Sequence, residues 1–247
     1  LTPRNFRKFI FLFSLCSFLF SSYSPVIGEP ITLVTSEYPP YCTKELANRG
    51  ILVSIIVESF HAAGEDNVKI VVEPWYRALE NAKKGKYDGI FTLWHTKERE
   101  NWFAYSNPIL EDDLIFFVHT KNKIRISKPA DLHPYKIGTV LGYAYPEWFM
   151  NLSVKKEETA FDEHNFHKLY HHRVDIALAE RNVGLYYIHK LKYQDAIKPI
   201  PYPIAHIRQY LGFDLKKKDY KKNLYTFNKG LSVIKANGTY LRIKNSF

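Results

Sequence analysis

The chain has 247 residues, 46% hydrophobic, 24% charged and 16% aromatic, with a formal net charge of +10. That balance supports a buried core, which excludes a disordered tail, a collagen-like fibre and a coiled coil. Two cysteines, Cys16 and Cys42, are too few for a disulfide framework or a cysteine-built zinc cluster.

In chain order, Arg4, Arg7 and Lys8 precede an uncharged apolar run from Phe9 to Phe20. A membrane span needs roughly 20 apolar residues, and this run is shorter. A basic start, a short apolar middle and small residues after it predict a secretory signal over residues 1–28, cleaved after Gly28. An uncleaved membrane anchor is the alternative. Without that segment the remaining 219 residues carry +7, spread along the chain apart from local runs such as Lys216-Lys217-Lys218. No basic helix interleaves with base-reading side chains, so nucleic acid is not an expected partner.

Ile31–Thr35 is a β-branched run that predicts a strand, followed by the proline-rich turn Glu37-Tyr38-Pro39-Pro40-Tyr41. Ile51, Ile55, Ile56 and Phe60 recur at helical spacing, and Gly64 stands where that helix ends. Val68 to Glu73 predicts a strand, and Pro74 suits a first helical turn. Trp75, Ala78, Leu79 and Ala82 form one helical face closed by Gly85, and Asp88 to Thr92 predicts the next strand. A second series predicts a strand over Lys136–Leu141, a helix over Asn165–Arg173, a strand over Val174–Ala179 and a helix over Asn182–Lys190. Leu224, Phe227, Leu231 and Ile234 share a last long helical face that ends at Asn237-Gly238. The βαβ alternation implies an α/β layer fold, and two lobes fit the length better than one continuous sheet.

Four stretches then carry a resemblance. They are TSEYPPY (Thr35 to Tyr41), the run from Pro74 to Ile109 with its T-x-E-R and Ser-x-Pro pieces, RVDIALAE (Arg173 to Glu180), and FNKGLSVIKANGTYLRI (Phe227 to Ile243). In this order and spacing the sequence resembles the bacterial extracellular solute-binding proteins of family 3, the polar-amino-acid class. The resemblance implies a two-lobed type II periplasmic-binding-protein fold, each lobe a mixed, mainly parallel sheet flanked by helices. Two crossovers would lie near Phe116–Thr120 and His206–Gly212. Lobe 1 would comprise residues 29–118 plus 212–247, and lobe 2 residues 119–211. Hinge closure on a ligand is the expected motion.

Arg99 matches the family arginine that grips a ligand carboxylate, because a planar guanidinium fork pairs both oxygens. Thr96 would cap the turn that carries it, and Thr92 would end a strand that points into the cleft. Tyr38 and Trp75 match two aromatic clamps. Gly142, Tyr143 and Ala144 follow a strand and precede an expected helix, and free N–H groups at a helix start would let lobe 2 close onto the same carboxylate. Glu180 matches the acidic residue that takes an α-ammonium, although Arg181 beside it offers a structural partner instead. Trp94 stands where the family has small hydroxyl residues, so the indole narrows the cleft or adds a third ring. Glu37 and Arg77 rank below these as rim residues.

His164, His167 and His171 share one helical face but lack a carboxylate or thiolate at firm spacing, so a solvated surface is expected rather than a metal site. No cofactor is expected, and no nucleophile–base pair marks an active site. The expected protein is a monomeric periplasmic binder of a small amino acid or carboxylate that meets a membrane permease or receptor. The rivals are an enzyme on the same fold, dehydratase-like with Glu180 as general acid, and a ligand-sensing module.

Overall fold

In the structure, a computed structural model, residues 29–246 are described. The expected export signal and Cys16 lie outside them. The run Ile31–Thr35 forms β1, with Leu33, Val34 and Thr35 fully buried. It pairs in parallel with β2 (Val68–Val72) and with β3 (Gly89–Trp94). Helix α1 (Ile51–Ala62) links β1 to β2, and α2 (Trp75–Lys83) links β2 to β3. The face of α2 that packs inward is the predicted one, Trp75, Ala78, Leu79 and Ala82. Fully burying a side chain the size of leucine contributes about 1.5–3 kcal/mol, which makes this stripe the main anchor of a helix of only nine residues.

A second set of parallel strands comprises β6 (Lys136–Val140), β7 (Lys155–Thr159) and β8 (Ile176–Glu180). Around them lie α3 (Glu147–Met150), α4 (Asp162–Tyr170) and α5 (Arg181–Lys190). Two strands of ten residues join the sets: β5 (Leu110–His119) and β10 (Ala205–Asp214), antiparallel to each other. Strand β10 continues onto β3, and β5 continues onto β8. The sheet order is therefore β2-β1-β3-β10-β5-β8-β6-β7, with β4 (Phe103–Tyr105) on β10 and β9 (Ile197–Pro199) on β5. The result is a two-lobed α/β fold whose two long strands run from one lobe into the other, and the predicted crossover stretches fall within them or reach one residue beyond.

Near the C-terminus α6 (Tyr220–Ala236) packs on α1, and α7 (Thr239–Lys244) follows. A Cβ on Gly230 would lie 1.6 Å from the Ser59 carbonyl oxygen, so glycine is what lets the two helices touch backbone to backbone. The rings of Phe60 and Phe227 meet beside it at 5.4 Å. The buried stripe of α6 runs through Asn223, Phe227, Gly230, Leu231 and Ile234, leaving Leu224 only partly covered.

Several boundaries differ from the sequence expectation. Strand β3 extends two residues past Thr92, to Trp94. Helix α4 starts at Asp162 rather than Asn165, where Phe161 is still extended and Asp162 and Glu163 place negative charge at the positive end of the helix. It stops at Tyr170, because His172 turns left-handed with φ 55°. The helix expected to follow Gly142-Tyr143-Ala144 begins at Glu147.

Candidate functional site

The crevice between the lobes is lined by Ser36, Tyr38, Trp75, Thr92, Trp94 and Arg99 from one side and by Tyr143 and Ala144 from the other. The cavity they enclose has a volume of about 10 Å³, room for about one water molecule. Past Trp94 and Ala144 it gives onto a wider pocket of about 330 Å³ that includes His95, Glu111, His206 and Arg208.

Arg99 opens a short 3₁₀ turn after β3 whose N-cap is Glu98 rather than the predicted Thr96, although the Arg99 N–H donates to the Thr96 hydroxyl at 3.1 Å. Its side chain faces inward and is 6% exposed. Nη1 donates to the Trp94 carbonyl and Nη2 to the Gly142 carbonyl, both at 2.8 Å. The guanidinium lies 5.6 Å from the Trp75 ring centroid. Burial lowers its pKa, with Tyr105 and Glu98 acting the other way. Among the described residues no carboxylate forms a salt bridge with it. A buried cation held only by carbonyls has geometry for an anion but no counter-charge.

Thr92 sits on a bulge. Leu211 of β10 spans Phe91 and Thr92 together, because the pairing jumps from Tyr210 opposite Leu93 to Gly212 opposite Ile90. Thr92 has φ 58°, a left-handed conformation that a β-branched residue adopts only under strain. Bulges of this kind re-aim side chains beside functional sites. The Thr92 hydroxyl already meets the Phe91 carbonyl and, at 2.9 Å, the Thr35 hydroxyl. It lines the cavity, yet the hydrogen-bonding capacity expected for a carboxylate is directed into lobe 1.

Pro74 ends β2 and seats Trp75 at the first turn of α2, where the indole Nε1 donates to the Gly142 carbonyl at 2.9 Å. Gly142 therefore accepts from Trp75 and Arg99 together. Its own φ is 79°, a conformation that favours glycine, and a Cβ there would lie a tight 3.1 Å from the Tyr76 ring. The segment Gly142 to Ala144 precedes the expected helix, but its amides are not that helix's first turn. The Tyr143 N–H bonds back to the Val140 carbonyl, and Pro146 holds the chain extended until Glu147. The loop thus turns a carbonyl toward Arg99.

Tyr143 enters the crevice as a ring among rings. Tyr38, Trp75 and Trp94 lie at 6.1, 5.9 and 5.2 Å from it, each edge-on. Its hydroxyl donates to Asp162 Oδ2 at 2.8 Å. Trp94 is 5% exposed and supplies the third lobe 1 ring of this box. Tyr38 is buried and stacks on Tyr41 at 5.5 Å. Its hydroxyl and that of Ser36 are buried without a hydrogen-bond partner, as are one oxygen each of Asp162 and Glu180.

Glu180 ends β8 fully buried, but it does not line the cavity beside Arg99. Its Oε2 accepts from the Val183 N–H at 2.8 Å and caps α5. Arg181 pairs with Asp113 at 2.9 Å instead of neutralising it. Burial, and then the nearby Asp112 carboxylate, push the Glu180 carboxyl up to about 8. Asp112 is raised by burial too, against hydrogen bonds from Gln209 and Tyr41. Asn182 of α5 donates to the Tyr41 hydroxyl at 2.9 Å, so this acidic cluster also ties the lobes together. Asp112 and Tyr41 face a separate open groove of about 930 Å³.

Of the sequence candidates, the structure brings together Arg99, Tyr38, Trp75, Thr92, Trp94, Tyr143 and Ala144, with Gly142 reaching in through its carbonyl. Glu180 stands apart with Asp112. Glu37 is half-buried and Arg77 exposed, and neither lines the cavity. Ser36, Asp112 and Asp162 were not legible as site residues. Only the position of Ser36 inside the quoted TSEYPPY stretch pointed toward one. The histidines of α4 lie apart: His167 meets the Tyr193 hydroxyl, while His164 packs on Phe161. Among the described residues no three metal-ligating side chains are grouped, and no helix is long and apolar enough to cross a membrane.

The profile of the bacterial extracellular solute-binding proteins, family 3, matches residues 31–247. No curated protein matches the chain. Among solved structures, the chain is similar to a histidine kinase sensor domain with similarity to periplasmic binding proteins, at TM-score 0.79 and 18% identity over 87% of this chain and 94% of that one. It is similar to an ancestral arginine-binding protein bound to arginine, at TM-score 0.75 and 21% identity over 88% and 97%. It is also similar to the GluR0 ligand-binding core from Nostoc punctiforme in complex with L-glutamate, at TM-score 0.74 and 18% identity over 87% and 97%.

Proposed function

This chain belongs to the bacterial extracellular solute-binding proteins, family 3, and on that premise we propose that it captures a small carboxylate-bearing solute by closing two lobes around it. The observation that carries this reading is Arg99: a guanidinium buried at the floor of the crevice, aimed inward, with carbonyls for partners and no carboxylate. A carboxylate makes roughly twice as strong a hydrogen bond to a guanidinium as a neutral acceptor does. Trp75, Tyr38 and Trp94 surround that anchor with flat apolar walls that exclude water.

The lobes that close are residues 29–118 plus 212–247 and residues 119–211, with β5 and β10 as hinges. Lobe 1 carries the anchor and binds first, and the Gly142 to Ala144 loop of lobe 2 then covers the solute. The protein works outside the cytoplasm after removal of residues 1–28. It passes its solute to a membrane permease of the ABC type and performs no covalent chemistry. A second reading, a sensor that reports the solute to a receptor, is favoured by the likeness to a histidine kinase sensor domain.

A thermal-shift screen of amino acids, small organic acids and polyamines tests the reading, since a solute that binds only the folded state raises the melting temperature. The expected hits carry a carboxylate and lose their effect in Arg99→Ala. Hits confined to polyamines, or hits indifferent to Arg99, overturn it.

A further inference from the structure

The loop of lobe 2 fills the space a solute needs. A cavity of about 10 Å³ cannot hold both the Tyr143 ring and a solute, so the two exclude one another. What the loop presents there is specific. The Gly142 carbonyl oxygen takes Arg99 Nη2 at 2.8 Å and Trp75 Nε1 at 2.9 Å. Beyond it a single flat ring sits between Tyr38, Trp75 and Trp94 at centroid separations of 5.2 to 6.1 Å. At the far end of the ring a hydroxyl donates to Asp162, which is 3% exposed and keeps its other oxygen unpartnered.

Resting on the reading of the crevice as a solute site, we propose that Gly142 and Tyr143 are a built-in surrogate of the solute, and that the solute class is an aromatic carboxylate with a hydrogen-bond donor at the far end of its ring. One carboxylate oxygen replaces the Gly142 carbonyl on Arg99 and Trp75, and supplies the charge the carbonyl lacks. The ring replaces that of Tyr143 in the three-walled box, where edge-on ring pairs at these separations are favourable. The donor replaces the Tyr143 hydroxyl on Asp162, whose two buried oxygens share one side-chain donor. An aliphatic chain fits the same volume but forfeits the ring contacts on three sides. Tyr143 is then a specificity-determining residue. It competes with solute for the box, so the apparent affinity is the intrinsic one reduced by the fraction of molecules in which the ring has withdrawn.

The test is calorimetry on the full chain with 4-hydroxyphenylacetate, phenylacetate, L-tyrosine, L-glutamate and L-lysine, using wild type, Tyr143→Ala and Tyr143→Phe. The expected ranking places 4-hydroxyphenylacetate and L-tyrosine ahead of phenylacetate, and all three ahead of the aliphatic amino acids. Tyr143→Ala is expected to bind 4-hydroxyphenylacetate about tenfold more tightly than wild type, because the competing ring is gone. Weaker or unchanged binding in Tyr143→Ala overturns the surrogate role. If L-glutamate or L-lysine binds and the ring compounds do not, this inference falls while the solute-binding reading stands. If no carboxylate binds at all, both fall. Should Tyr143→Ala fail to fold by circular dichroism, the wild-type ranking decides, with Tyr143→Phe expected to keep the preference for rings.

Discussion

Arg99 and Glu180 are buried to similar depth, at 6% and 1% exposure, one lining the crevice and the other apart from it, yet the protein handles their charge in different ways. A guanidinium keeps its proton under any ordinary condition, so burial forces it to find acceptors, and Arg99 finds two main-chain carbonyls. A carboxyl can take up a proton instead. Glu180, beside Asp112 and with one oxygen unpartnered, is pushed toward that neutral form. The arginine pole is a charge waiting for its partner. The glutamate pole is a proton store between helix α5 and the hinge strands. The same degree of burial thus marks one group as an anchor and the other as a titrating element.

The sharpest way to break the comparison is Arg99→Ala. Removing one partner of a buried charge-assisted pair costs about 2–5 kcal/mol, so the affinity for a carboxylate solute should fall about 30-fold or more, read by calorimetry. An unchanged affinity removes the anchor.

The glutamate pole is tested by pH. The folded-state value for Glu180 is raised from 4.5 to about 8. Its contribution to stability is therefore complete below about pH 4.5 and is lost as pH rises toward 8, because the unfolded chain ionises first. The melting temperature should drop by several degrees across that window, and Glu180→Gln, fixed in the neutral state, should remove the part above pH 6. Asp162, raised to about 6, accounts for some of the slope below that. A variant with the wild-type slope assigns the titration to another group.

Gly142→Ala addresses the loop that meets the Arg99 pole. A left-handed residue other than glycine costs about 1–2 kcal/mol, and the added carbon would sit a tight 3.1 Å from the Tyr76 ring. The melting temperature should fall by about 2–8 °C, with a larger loss at the Arg99 pole than at Glu180, visible as greater hydrogen exchange at residues 94–99. The smallest effect belongs to Glu45→Gln. Glu45 meets Lys190 at 2.7 Å and Tyr186 at 2.9 Å across the lobes, but the pair is partly solvated. Such pairs contribute about 0–1 kcal/mol, so stability should barely move, while small-angle scattering should show a modest shift toward open molecules.

Much of the frame was legible before any coordinates. The runs at Ile31–Thr35 and Val68–Val72 and the stripe Trp75, Ala78, Leu79, Ala82 declared themselves through period and branching, because local sterics and burial of one face act on neighbours in the chain. Arg99, Tyr38 and Trp75 were named too, through the family resemblance of the stretches that carry them. The full extents of β5 and β10 were not. Nothing local showed that Tyr41 and Gln209 would hold Asp112, or that Arg181 and His206 would hold Asp113, from distant parts of the chain. Nor did the order of residues say that Gly142 would offer its carbonyl rather than an amide, that Thr92 would sit on a bulge, or that the Tyr143 ring would fill the box. Periodicity and residue chemistry determined which side chains were available. Where each points depended on contacts between segments 40 to 140 residues apart, and such contacts exist only once the lobes have met.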